Sequence, residues 1–174
     1  KDGIKEKEIN FPYVKSFINS LPFSLTSDQL NVTEEILNDI NSQICMSRLL
    51  QGDVGSGKTI VSLIALLANF SAGFQGALMA PTDILARQHY QTFINFLSSF
   101  DSSIKVELLI SSLPVSKKKE VLERLANNDV DIVIGTHALI QEQVKKTKNI
   151  GVITLPTHVI ISFGFNEKNN TNAK

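Results

Sequence analysis

At 174 residues, 43% of them hydrophobic and 20% charged, the chain has a one-domain length and a globular composition, which argues against wholesale disorder. Its 17 Lys and Arg balance 17 Asp and Glu, so net charge gives no case for nucleic acid, and such a role has to rest on local motifs. A single cysteine, Cys45, excludes an internal disulfide, no apolar run reaches the roughly 18 residues that span a bilayer, and the lysine-rich start lacks the features of a signal peptide, so a soluble cytoplasmic protein is expected.

Residues 1–20 read as a linker or leading helix: Lys1 to Asn10 is charged without a period, and Phe11, Val14, Phe17, Ile18 and Leu21 then recur at helical spacing up to Pro22. Thr26 or Ser27 offers an N-cap for a helix through Ile40, with Leu30, Ile36, Leu37 and Ile40 turned inward. Short apolar strands then alternate with longer helices. Strands are predicted at Cys45–Leu50, Ala77–Ala80, Val106–Ile110 and Ile132–Ile134, and helices at Thr59–Ala72, Ile84–Phe100 and Ser116–Asn127. This alternation predicts an α/β fold, a parallel sheet with right-handed crossovers and helices on both faces. The main lobe is expected over 21–144. The remainder, 145–174, reads as a divergent tail with a basic run at Lys145, Lys146 and Lys148, a fifth strand over 158–161, and a polar, asparagine-rich, disordered end.

One motif carries chemistry by itself. Gly52-Asp53-Val54-Gly55-Ser56-Gly57-Lys58-Thr59 meets the spacing G-x-x-x-x-G-K-T between an apolar strand and a helix. Its glycines let successive N–H groups turn into one hollow where side chains would block a phosphate, and the helix that follows adds its positive end. Lys58 is then the point charge for the outer phosphates of ATP, and the Thr59 hydroxyl is a ligand for Mg²⁺. A chance glycine turn before Lys-Thr is the competing reading, and the strand–loop–helix setting weighs against it.

Around this loop the wording resembles the RecG branch-migration DNA helicases. The resemblance is carried by Leu21-Pro22-Phe23-Ser24-Leu25-Thr26-Ser27-Asp28-Gln29, by Arg48 to Thr59, by Met79-Ala80-Pro81-Thr82-Asp83-Ile84-Leu85-Ala86-Arg87-Gln88-His89, and by Gly135-Thr136-His137-Ala138-Leu139-Ile140-Gln141-Glu142. Transcription-repair coupling helicases share part of this wording; the last block favours RecG. The resemblance implies a RecA-like P-loop lobe in which Gln29 reads the adenine edge and Phe23 stacks beside it. It also implies that Pro81 and Thr82, with Gly135, Thr136 and His137, grip the DNA backbone at the carboxyl ends of their strands. Taken alone, Gln29 fits a solvated helix residue, Pro81-Thr82 an ordinary turn into a helix, and His137 a surface histidine. The Lys117, Lys118, Lys119 and Arg124 cluster, diluted by Glu120 and Glu123, reads as a solvated face rather than a DNA track.

Turnover needs a carboxylate at a strand end for the Mg²⁺ shell and another to orient water. In the family that strand ends Asp-Glu-Gln-His. Here His158-Val159-Ile160-Ile161 resembles the strand, yet continues Ser162-Phe163-Gly164. Asp131 stands at the wrong end of its strand, more than about 10 Å from the carboxyl edge at 3.3 Å per residue. Asp53 and Asp83 lie on loops, and Glu167 lies in the tail. Leu109-Ile110-Ser111-Ser112 replaces the Thr-Gly-Ser turn usual in these motors. The chain starts at Lys1 rather than Met, and the family's second lobe and upstream wedge domain are not in it. Two readings follow: an amino-terminal motor lobe acting in DNA recombination and repair, completed by a second chain carrying the other lobe, or a remnant that binds ATP without turnover. A small-molecule kinase is the weaker third, because no lid-like arginine cluster is evident.

Overall fold

The computed structural model describes residues 10–41, 46–50, 57–144, 150–154 and 159–163. Helix α1 (Phe11–Ser20) starts where the Asn10 side chain accepts from the Tyr13 N–H at 3.2 Å, with Pro12 in the first turn where no N–H is missed. Helix α2 (Ser27–Asn41) opens on a reciprocal cap. The Thr26 hydroxyl accepts from the Gln29 N–H at 3.1 Å, and the Gln29 side-chain carbonyl accepts from the Thr26 N–H at 2.9 Å. Thr26, not Ser27, is the cap. Of the four positions expected to face inward, Ile36 and Ile40 are buried and Leu37 partly so, but Leu30 is 46% exposed. Thr33 takes its place inside, one turn further along the buried stripe.

Strand β1 (Met46–Leu50) leads to helix α3 (Lys58–Ser71), whose residues from Ile60 to Asn69 are all buried. A helix apolar all round has to be covered all round. Here α1 and α2 pack on its outer side while its inner side lies on β2 (Gln75–Ala80). Helix α4 (Asp83–Ser98), strand β3 (Val106–Leu109), helix α5 (Val115–Ala126), strand β4 (Ile132–Thr136), helix α6 (His137–Val144), and strands β5 (Ile150–Thr154) and β6 (Val159–Phe163) complete the described chain. Alternation along β2 and β4 splits the core. Leu78, Ala80, Ile132 and Ile134 face α3 and α4, whereas Ala77, Met79 and Val133 face α5 and α6.

The sheet runs β1-β6-β5-β2-β4-β3. Strands β5, β2, β4 and β3 are mutually parallel, and β6 is antiparallel to both β5 and β1, which leaves β1 parallel to the rest. The expected parallel sheet with helices on both faces is therefore present, with one reversed strand inside it. Three expectations change. Helix α6 and strand β5 are additional to the expected elements, and two strands of the sheet come from beyond Val144. The strand expected at 158–161 exists as β6 but runs backwards, pairing Leu50 with Val159 and Met46 with Phe163. It thus starts beside the end of β1 and finishes at the opposite edge, so Ser162 and Phe163 cannot mark a carboxyl-edge acid site. Residues 1–9 and the asparagine-rich end, 164–174, lie outside the described residues.

At the amino edge a buried amide fastens the layers. Gln75 donates through Nε2 to the Leu125 and Val130 carbonyls at 3.0 and 2.8 Å, and Asn69 donates to the Gln75 carbonyl at 2.8 Å. Tyr13 ties α1 to the lobe by donating to Asp101 at 2.9 Å, its ring edge-on to Phe100. Burial, and next the Asp101 carboxylate, push the Tyr13 phenol well above its ordinary range.

Candidate functional site

Five parallel strands deliver their carboxyl ends to one edge, where loop residues gather. Of the glycine loop, residues 52–56 lie outside the described residues, and Gly57, Lys58 and Thr59 are described. Gly57 is the N-cap of α3 with φ 78° and ψ 23°, left-handed backbone that glycine adopts without strain. Its open side is filled by another predicted residue. A Cβ there would fall inside the Gln29 side-chain nitrogen. Sequence positions 29 and 57 are thus in contact, with the Gln29 carbonyl anchored on the Thr26 N–H and the amide nitrogen laid on the glycine. Lys58 and Thr59 form the first turn of α3, whose N–H groups begin the helix's positive end.

Phe23 is 45% exposed and meets Phe96 of α4 edge-on at 6.1 Å between ring centroids. Gln29, rather than Phe23, is brought onto the glycine.

Pro81 and Thr82 follow β2 and are exposed. The Thr82 hydroxyl caps α4, accepting from the Leu85 N–H at 3.2 Å. Gly135 and Thr136 end β4 beside them, with Ala80 paired to Thr136. Gly135 is buried, and a Cβ on it would run into the Leu109 carbonyl oxygen, so its glycine identity has a packing reason of its own. His137 begins α6, and its Nε2 is buried with no hydrogen-bond partner among the described residues.

Of the acids weighed as replacements, Asp53 and Glu167 lie outside the described residues. Asp131 sits at the amino edge as expected and accepts from the Lys105 N–H at 2.8 Å. Asp83, expected on a loop with no strand fixing it, is the first residue of α4. It accepts from the Ser111 hydroxyl at 2.7 Å and from the Ser112 N–H at 3.2 Å. The Ser111 hydroxyl, chiefly, holds its carboxyl below the usual range, with the Ser111 and Ser112 backbone amides adding to the effect. It follows β2, three strand spacings of about 4.8 Å from β1, and so stands roughly 14 Å from the glycine loop's strand. Among the described residues no group of three or more His, Cys, Asp or Glu gathers as a metal site. On the side towards β1, the strand paired with β2 is β5, and the residues after it, Leu155-Pro156-Thr157-His158, include no carboxylate. Three of the four cations of the basic cluster on α5 have local acidic partners. Lys117 pairs with Glu120, Lys119 with Glu123, and Arg124 with Glu107.

Strand β1 leading through the glycine motif to α3, a left-handed Gly57, an amide laid on that glycine and a sheet whose parallel strands end at one edge define the nucleotide-binding lobe of a helicase motor. The DEAD/DEAH box helicase family model matches residues 26–161, and the chain belongs to that family. Within it the RecG resemblance holds. The chain is 48% identical over 155 residues to ATP-dependent DNA helicase RecG of Thermotoga maritima, covering 89% of this chain and 20% of that protein. It is 48% identical over 156 residues to RecG of Bacillus subtilis, covering 90% and 22%. A solved structure of RecG bound to a three-way DNA junction superposes with a TM-score of 0.77 at 50% identity, over 85% of this chain and 20% of that one. The chain therefore spans about a fifth of the length of these relatives. A hypothetical ATP-dependent RNA helicase from Sulfolobus tokodaii, at 19% identity and a TM-score of 0.53, shares the fold. No helix among the described residues is long and apolar enough to cross a membrane.

Proposed function

We propose that this chain is the ATP-binding lobe of a RecG-like DNA helicase, acting in the cytoplasm in DNA recombination and repair on forks and junctions. The observation that carries the nucleotide half is Gln29 lying on left-handed Gly57 at the head of α3. In this reading residues 52–59 cradle the phosphates, Lys58 supplies the charge, and Gln29 reads the adenine edge, with the half-exposed Phe23 ring beside it. Mg²⁺ fits the donor set only in part. The Thr59 hydroxyl would hold it together with the nucleotide's own phosphates, and the ion would supply charge neutralisation between them. Pro81, Thr82, Gly135, Thr136 and His137 form the DNA-gripping edge. The lobe works with the remaining motor, in the same polypeptide or a second chain.

Binding without turnover is the second reading, and it is favoured by a specific observation. Neither β5 nor β6 delivers a carboxylate to the edge beside β1. Calorimetric titration with ATP–Mg²⁺, paired with an ATPase assay on the purified chain, tests both. We expect binding that Lys58→Ala weakens by at least about tenfold, the loss of one charge-assisted contact, and negligible hydrolysis. Unchanged binding in Lys58→Ala would sink the phosphate-cradle reading; DNA-stimulated hydrolysis by the chain alone would sink the reading without turnover.

A further inference from the structure

Sheet pairing fastens β2 to β4 as far as Ala80 and Thr136, and β4 to β3 as far as Leu109 and Gly135. Beyond those pairs the loop leaving β3 has no strand to hold it. The loops leaving β2 and β3 are also not neighbours, since β4 lies between them and two strand spacings amount to roughly 10 Å. One side chain bridges them. The Asp83 carboxylate takes the Ser111 hydroxyl at 2.7 Å, the Ser112 N–H at 3.2 Å and the Ser111 N–H at 3.4 Å. One turn along α4, Arg87 donates to the Ser112 hydroxyl at 3.3 Å.

We propose that Asp83 is a positioning residue that locks the loop after β3 to the loop after β2, so that β2, β4 and β3 present one rigid edge to the DNA backbone. This rests on the reading of that edge as DNA-gripping. Asp83 is not needed as a helix cap, because Thr82 already caps α4. Nor does its charge suit the edge, since a bare carboxylate repels phosphate. Its lone pairs are instead turned onto a hydroxyl and two amides, which spend the charge inside the protein and leave the loop fixed.

Charge and position make opposite predictions. Asp83→Ala and Asp83→Asn remove the same charge, and a purely electrostatic role has both variants bind DNA equally, more tightly than the wild type. A positioning role has Asp83→Ala weaken binding about tenfold through loss of all three bonds. Asp83→Asn keeps a carbonyl for Ser111 and stays within about threefold of the wild type. Ser111→Ala keeps the charge yet also weakens binding, and combining it with Asp83→Ala adds little, because both cut one bridge.

The assay is fluorescence anisotropy of a labelled oligodeoxythymidine at low salt, with thermal unfolding of each variant alongside. Should Asp83→Ala lose its fold, the Ser111→Ala result decides. DNA binding by the wild type that Asp83→Ala or Ser111→Ala leaves equal or tighter overturns the positioning role alone. No binding by the wild type overturns the DNA edge, and this role with it.

Discussion

Substituting Gly57 with alanine tests the contact on which the nucleotide site depends. With φ at 78°, an L-residue at this position pays about 1–2 kcal/mol for left-handed backbone. The new Cβ would also fall within the Gln29 amide nitrogen, so that side chain has to leave. Leaving breaks its bond to the Thr26 N–H, half of the reciprocal cap on α2, at about 1 kcal/mol. Gly57→Ala should therefore cost about 2–3 kcal/mol, although it removes no core atom. A double-mutant cycle separates the two parts. Gln29→Ala alone should cost about 1 kcal/mol, and on that background Gly57→Ala should cost only the backbone strain, giving a coupling of about 1 kcal/mol. Urea denaturation of the four proteins without nucleotide measures it. Additivity within about 0.5 kcal/mol would refute the contact, because residues that do not touch do not couple. Repeating the series with ATP–Mg²⁺ at a hundred times Kd should stabilise the wild type by about 2.7 kcal/mol and Gly57→Ala far less.

Two further glycines predict a ranking. Gly135→Ala drives a Cβ into the Leu109 backbone carbonyl and should cost about 3 kcal/mol or more, whereas Gly76→Ala meets only the Leu66 Cδ2 at 2.6 Å and should cost about 1 kcal/mol; the reverse order in urea melts contradicts the β3–β4 register. Tyr13→Phe keeps the ring against Phe70 and Phe100 and loses the bond to Asp101, so it should cost about 1 kcal/mol in the same assay; no change means that bond does not hold α1. Burial lowers the His89 pKa below its ordinary 6.5, so the unfolded chain takes up the proton first. Stability should then fall as pH drops from about 6.5 towards the folded value, and His89→Gln should flatten that limb. The carboxylates of Asp83 and Asp101, lowered chiefly by the Ser111 and Ser103 hydroxyls, lose their contribution only below 3.8, so the two limbs are separable in one pH series.

Much of this was legible because local pattern and tertiary burial agree. The glycine motif requires a strand before it and a helix after it, and the uncharged run from Ile60 to Phe70 reads as a helix covered on all sides, which α3 is. Leu30 misled because helical spacing alone put it on the inner stripe, whereas the buried face runs through Thr33, Ile36 and Ile40. Helix α6 is eight residues with a polar Gln-Glu-Gln end, too short for a period to stand out. Strand β5 was hidden by Gly151 and Thr154 beside a basic run. Strand direction is not written in side-chain alternation at all. The pattern T-x-x-Q at Thr26 and Gln29 announced a capping box, and reading it would have fixed both the cap and the anchored amide.

The direction of β6 was nevertheless available from chain length. Only residues 155–158 separate β5 from β6, and a parallel neighbour needs a crossover of about a dozen residues or more, so a four-residue link makes a hairpin. That hairpin seats β6 between β1 and β5, putting the glycine loop's strand two spacings, roughly 10 Å, from the parallel strand that ends at Thr154. Spacing along the sheet does not decide the chemistry, because Thr59 stands on α3, which packs over β2 and β5 rather than over β1. The end of β5 is therefore the edge position from which an acid would serve the nucleotide, and Leu155-Pro156-Thr157-His158 supplies none. An acid at the end of β6 would stand at the wrong edge of the sheet.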